Sequence, residues 1–193
     1  MLCKTLAGYD EDSKLSIDTL ISLKTCNGRI GATGMCLGGH LAFRCALDPR
    51  VSAAVTYFAT DLHSATLGLG KNDDSLARSK EIKAELALIH GTLDNHVPPE
   101  GRDLIRKTLR DNGLNFSWYE PAGAQRKSVN VNNCSTEIDD YTDAFIRDEL
   151  SKGRYDPAIS KICFEILLEL FGRTLKLDLG SHDGGTQIIE DIC

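Results

Sequence analysis

The feature that most narrows what this chain can fold into is a β-capable run that breaks, through a glycine-lined turn, directly into a helix. The run covers residues 29–35 and is entered through a turn at Asn27-Gly28. Gly34-Met35-Cys36-Leu37-Gly38-Gly39 follows, and residues 38–47 read as a helix closed by Asp48-Pro49. A side chain two residues to either side of Cys36 is expected to collide with the strand or the helix, which makes Gly34 and Gly38 required. A strand that feeds a helix this abruptly belongs in a parallel sheet with helices on its faces.

The rest of the chain repeats the pattern. Residues 51–58 are continuously apolar and β-branched, as in a strand buried on both faces, and residues 85–90 and 115–120 are the next two strands. Helices are expected over 9–23, with carboxylates at the positive end, over 98–112, started by prolines and stopped near Gly113, and over 159–171. Residues 60–80 read as short helices and loop, and the tail from 180 to 193 as loose. The expectation is one α/β domain over 1–193, its four strands parallel and in sequence order.

Composition closes off other classes. With 28 acidic against 22 basic residues, a net charge of −6 and no basic stripe, a nucleic-acid partner is not expected. No apolar run is long enough to cross a bilayer, and no leader with a cleavage site is visible. The seven cysteines (Cys3, Cys26, Cys36, Cys45, Cys134, Cys163, Cys193) are odd in number and irregular in spacing. A disulfide framework or metal knuckle is therefore not expected, and most read as buried thiols in a reducing, cytoplasmic setting.

Cys36 is the exception. The pattern Gly-x-Cys-x-Gly between strand and helix lifts a nucleophile to the C-terminal edge of a sheet and aims it at a helix N-terminus. That helix end favours negative charge on the sulfur and on an oxyanion formed beside it, with the Leu37 amide as candidate donor. The competing reading is a glycine-rich turn around an inert cysteine. Further on, Asp94 lies in the loop after the third strand and before a proline-started helix, so it shares that edge and is the candidate orienting acid. Alone, it would more commonly be a turn or capping aspartate. His96, two residues along the same loop, is poorly placed to bridge Asp94 and Cys36 and reads as a loop residue.

Asn27-Gly28-Arg29-Ile30-Gly31-Ala32-Thr33-Gly34-Met35-Cys36-Leu37-Gly38-Gly39-His40 and Gly91-Thr92-Leu93-Asp94-Asn95-His96-Val97-Pro98 resemble the dienelactone hydrolase family, over about residues 9–172. The resemblance implies an α/β-hydrolase fold, a mostly parallel sheet flanked by helices. It also implies a Cys-Asp-His triad, without cofactor or metal, that opens a small cyclic enol-lactone or related carboxylic ester. Cys36 and Asp94 match that triad. The family's histidine precedes Ala-Phe, whereas here Asp143 precedes Ala144-Phe145, and Arg126 follows Ala124-Gln125. The family also implies sheet strands ahead of the first helix that this sequence does not contain, which would leave the Cys36 strand an exposed edge.

Residues 126–143, rich in Asn, Ser, Thr and Asp, break the strand–helix rhythm and are expected to be a disordered insert. Arg126-Lys127-Ser128 can be encoded with an intron start, and Tyr141-Thr142-Asp143 with an intron end whose removal rejoins a histidine codon before Ala144. An unspliced intron is the expectation; genomic DNA without GT and AG at these boundaries would refute it. Three functions stay open: a lactone or ester hydrolase, an inactive truncated or misread product, and a redox-sensitive thiol protein.

Overall fold

The computed structural model describes residues 4–126 and 156–175. The remainder of the proposed insert after Arg126, the Ala144-Phe145 pair and the tail from 180 lie outside the described residues, as do Cys3, Cys134 and Cys193.

Helix α1 (Leu6–Ser22) starts earlier than its apolar spacing suggests, because the Thr5 hydroxyl caps it by accepting from the Gly8 N–H at 3.2 Å. Its first turn holds no acidic residue, so Asp10, Glu11 and Asp12 stand one turn beyond the positive end expected to attract them. Strand β1 (Ile30–Met35), helix α2 (Leu37–Cys45), strand β2 (Val51–Tyr57) and strand β3 (Glu85–Ile89) follow. Residues 60–80 form turns, closed by one 3-10 turn at Ser79–Glu81 rather than short α-helices. The two-residue strand β4 (Leu93–Asp94) leads to helix α3 (Pro99–Asp111), strand β5 (Phe116–Tyr119), the two-residue strand β6 (Gln125–Arg126) and helix α4 (Pro157–Leu175). The four expected strands pair in parallel in the order β1-β2-β3-β5, while β4 and β6 form a separate parallel ladder that the residue pattern did not reveal.

Alternation along the strands divides the core in two. Ala54, Leu86 and Leu88 face Phe43 of α2, Ile105 and Leu109 of α3 and Ile17 of α1. Ala53, Val55, Tyr57, Ala87 and Ile89 face Cys163 and Leu170 of α4. Phe43, Leu86 and Leu88 are wholly buried, each such side chain contributing about 1.5–3 kcal/mol. Among the described residues β1 is hydrogen-bonded on one side only. Beside it, Ile17, Leu20, Ile30, Ala32 and Leu41 line an apolar groove of about 580 Å³ between α1, β1 and α2.

Helix α4 is tied to the sheet by the Tyr57 hydroxyl, which donates to the Cys163 carbonyl at 3.1 Å, and by Arg173 against Glu85 at 2.8 Å. Burial pushes the Cys163 thiol from an ordinary 9.0 up to about 11. The folded chain holds this thiol neutral, so its contribution to stability is whole below pH 9.0 and is lost as pH climbs towards about 11. Tyr57, raised by burial from 10.0, adds to the loss only at higher pH. The urea midpoint should therefore fall as pH rises from 9 to 10, and fall less steeply in Cys163→Ala. An equal slope in the two proteins would dissociate the alkaline loss from α4 docking.

Candidate active site

Cys36 sits between β1 and α2 at φ 59° and ψ −122°, a backbone conformation that a residue with a side chain adopts only under constraint. Its N–H donates to the Tyr57 carbonyl at 3.0 Å. Its carbonyl accepts from the N–H groups of His40 at 3.2 Å and Thr60 at 3.3 Å. The turn is packed so closely that a Cβ at Gly34 would stand 2.2 Å from the Gly38 carbonyl oxygen. At Gly39 it would stand 2.7 Å from the Tyr57 carbonyl oxygen. Gly38, by contrast, faces open space, so the steric demand after Cys36 falls on Gly39 and not, as its spacing suggested, on Gly38. Leu37 is the first residue of α2, and a first-turn amide has no intrahelical acceptor, which leaves it available to an oxyanion.

Asp94 is buried, and its Oδ1 accepts from the N–H groups of His96 at 2.8 Å and Val97 at 3.3 Å. Cys36 follows the C-terminal end of β1 and Asp94 the C-terminal end of β3, so the parallel sheet brings both to one edge. His96 is exposed on the same turn, and it serves Asp94 through its backbone. Position 126, where Arg126 replaces the histidine the resemblance implies, is register partner to Asp94 in the β4–β6 ladder.

Two buried side chains that the residue pattern did not single out support these loops. Arg102 of α3 donates to the carbonyls of Val97 at 2.7 Å, Thr92 at 3.3 Å and Asp94 at 3.5 Å, clamping the acid loop from below. Glu120, 3.3 Å from the Arg102 guanidinium, supplies the counter-charge. His40 lies under the Cys36 turn, its ring between the Thr60 carbonyl and Asp73. Neither has a local sequence signal, because what defines each is burial against partners that only the fold brings round it. His90 is buried and stacked on Trp118, with ring centroids 5.0 Å apart.

Residues 4–171 match the model of the dienelactone hydrolase family. A Saccharomyces cerevisiae protein named "Putative carboxymethylenebutenolidase" is 51% identical over 194 residues, covering 98% of this chain and 65% of the relative. A carboxymethylenebutenolidase of Pseudomonas putida is 35% identical over 98 residues, covering 50% of this chain and 37% of the relative. The chain thus spans less than two thirds of the length of these relatives. A dienelactone hydrolase-like promiscuous phosphotriesterase from metagenomic libraries shares the fold, with a TM-score of 0.63 at 15% identity over 88% of this chain and 63% of that one.

The thiols of the described residues differ in setting. Burial raises Cys45 above its ordinary value and Cys163 to about 11, whereas Cys36 is half-buried at a helix N-terminus. In competitive alkylation of the folded chain, read by mass spectrometry, Cys36 should label first. Labelling of Cys45 or Cys163 ahead of it would overturn the assignment of this turn as a nucleophile site.

Proposed function

Since the chain belongs to the dienelactone hydrolase family, we propose that it is built to cleave a small cyclic enol-lactone or carboxylic ester through Cys36. The observation that carries this reading is the strained Cys36 backbone at the head of α2, on the sheet edge that also holds Asp94. The sulfur attacks the substrate's carbonyl carbon, and the oxyanion that forms is stabilised by the Leu37 N–H. Collapse expels the enolate or alkoxide, which takes a proton, and leaves a thioester on Cys36; water then releases the carboxylic acid and restores the thiol. Asp94 is the acid that orients the base. The base belongs at position 126, the register partner of Asp94. The guanidinium of Arg126 has no acceptor lone pair and cannot take that proton. The chain as written therefore acylates at Cys36 and turns over slowly. Its working partner is a small ester or lactone, in a reducing, cytoplasmic setting.

The test uses a pool of small esters and lactones with three proteins: the chain as written, Cys36→Ala, and a chain carrying Arg126→His with residues 127–143 removed. Stoichiometric acylation is expected in the first and none in the second. General acid–base catalysis contributes roughly 10²- to 10⁴-fold, and turnover in the third should exceed the first by a factor in that range. Fast turnover by the chain as written, dependent on Cys36, would show that another residue serves as base, with His96 the first to substitute. Acylation that survives Cys36→Ala would sink the reading. Reversible oxidation of Cys36 with no acylation would favour the redox-sensitive thiol instead.

A further inference from the structure

The positive φ of Cys36 has to be enforced, and the enforcing contacts converge on one buried side chain. The Cys36 carbonyl accepts from the backbone N–H of His40 and from that of Thr60. The Thr60 carbonyl in turn faces the Nδ1 of His40 at 2.6 Å, so one residue grips both strands of the turn. On the far side of the ring, Nε2 lies 3.1 Å from Asp73 Oδ2 and 3.2 Å from Ser75 Oγ. Asp73 is itself fixed: its Oδ1 accepts from the Ser75 hydroxyl at 2.5 Å, the Ser75 N–H at 3.2 Å and Arg44 at 3.4 Å. Burial alone would raise its carboxyl, yet the hydrogen bonds from His40 and Ser75 and the facing imidazole outweigh it and hold the group below the usual value. His40, Ser75 and the Asp73 side chain are wholly buried, so this histidine cannot reach a substrate.

We propose that His40, anchored by Asp73, is the positioning residue of the Cys36 turn: it holds Thr60 against the Cys36 carbonyl and so keeps the thiol at the head of α2. The functional consequence rests on the reading of Cys36 as nucleophile; the geometric claim does not. A ring nitrogen facing a carbonyl acts as a donor, so Nδ1 of His40 donates to Thr60. Loss of the ring removes the side-chain hold on the Thr60 carbonyl, and the strain at Cys36 is then relieved by rotation out of the positive-φ region.

Two readouts on the full chain separate the claims: hydrogen exchange of the Thr60 amide, and the rate of Cys36 alkylation by iodoacetamide. Four variants are compared: His40→Leu, His40→Asn (whose amide nitrogen can replace Nδ1 as donor to Thr60), Asp73→Asn, and Leu109→Ala, which weakens the core on α3 away from the turn. In His40→Leu the Thr60 amide should exchange roughly tenfold faster, and Cys36 should alkylate roughly tenfold more slowly, the size expected of a strain of this order. His40→Asn should recover most of both, Asp73→Asn should shift both in the direction of His40→Leu, and Leu109→Ala should move neither beyond its global destabilisation. If His40→Leu does not fold, Asp73→Asn and His40→Asn decide between themselves. Thr60 exchange no faster in His40→Leu or Asp73→Asn than in Leu109→Ala would overturn the proposal. Slow Cys36 alkylation already in the unmodified chain, with Thr60 exchange still accelerated by His40→Leu, would uphold the positioning role and remove the nucleophile reading.

Discussion

A residue with a side chain at positive φ costs about 1–3 kcal/mol, and at Cys36 that cost is carried by contacts from three directions. The neighbouring strand supplies the Tyr57 carbonyl, α2 supplies the His40 amide, and the loop after β2 supplies the Thr60 amide. Each of these groups must be in place for the others to fit. Gly34 and Gly39 are part of the same constraint, since a methyl group at either would push backbone against backbone. The placing of the Cys36 sulfur beside the Leu37 amide at the head of α2 depends on that one backbone geometry.

The sheet beneath serves the turn by bringing its neighbours close. Ala53, Ala54 and Ala87 put small side chains on both faces of the central strands, so α2 and α3 on one side and α4 on the other can pack close against β2 and β3. Because all four strands are parallel, every loop leaving a C-terminal end collects at one edge. That is how Cys36 and Asp94, far apart in sequence, come to share it.

What could be read from residues alone follows the range of the interactions involved. The four strands, and the helices after β1, before β5 and near the C-terminus, are written in runs a few residues long, and their structural bounds differ from those runs by a few residues at each end. The placement of Cys36 at a strand–helix turn and of Asp94 in the loop after β3 is legible because a turn and a loop signal are local. The Thr5 cap was missed because it precedes the apolar spacing rather than belonging to it. The β4–β6 ladder is only two residues long on each strand, too short for any pattern. His40 and Arg102 were hidden for a different reason: a buried histidine or arginine looks like a surface residue until its partners, Asp73 and Thr60 or Glu120 and the acid loop, are brought in by the fold. Gly38 shows the converse, a residue that matches a pattern but has no steric duty in the structure.

The two halves of the site are held by separate means, and this bears on what happens when one is damaged. The nucleophile turn is fixed by β1, β2, α2 and the His40–Asp73 pair. The acid loop is fixed by Arg102, Glu120 and the β4–β6 ladder, whose register sets Asp94 against position 126. The contacts named in the first group are all made by residues other than residue 126. Under the proposed function, a change there would remove the base while leaving the strained Cys36 turn, the Leu37 amide and the buried Asp94 in place. Under that proposal such a chain would keep the geometry for acyl transfer to sulfur and lose the group that would hand the acyl to water. On the proposed reading, Arg126 is a defect in turnover rather than in folding, and the strain at Cys36 belongs to the backbone geometry that acyl transfer to sulfur would use.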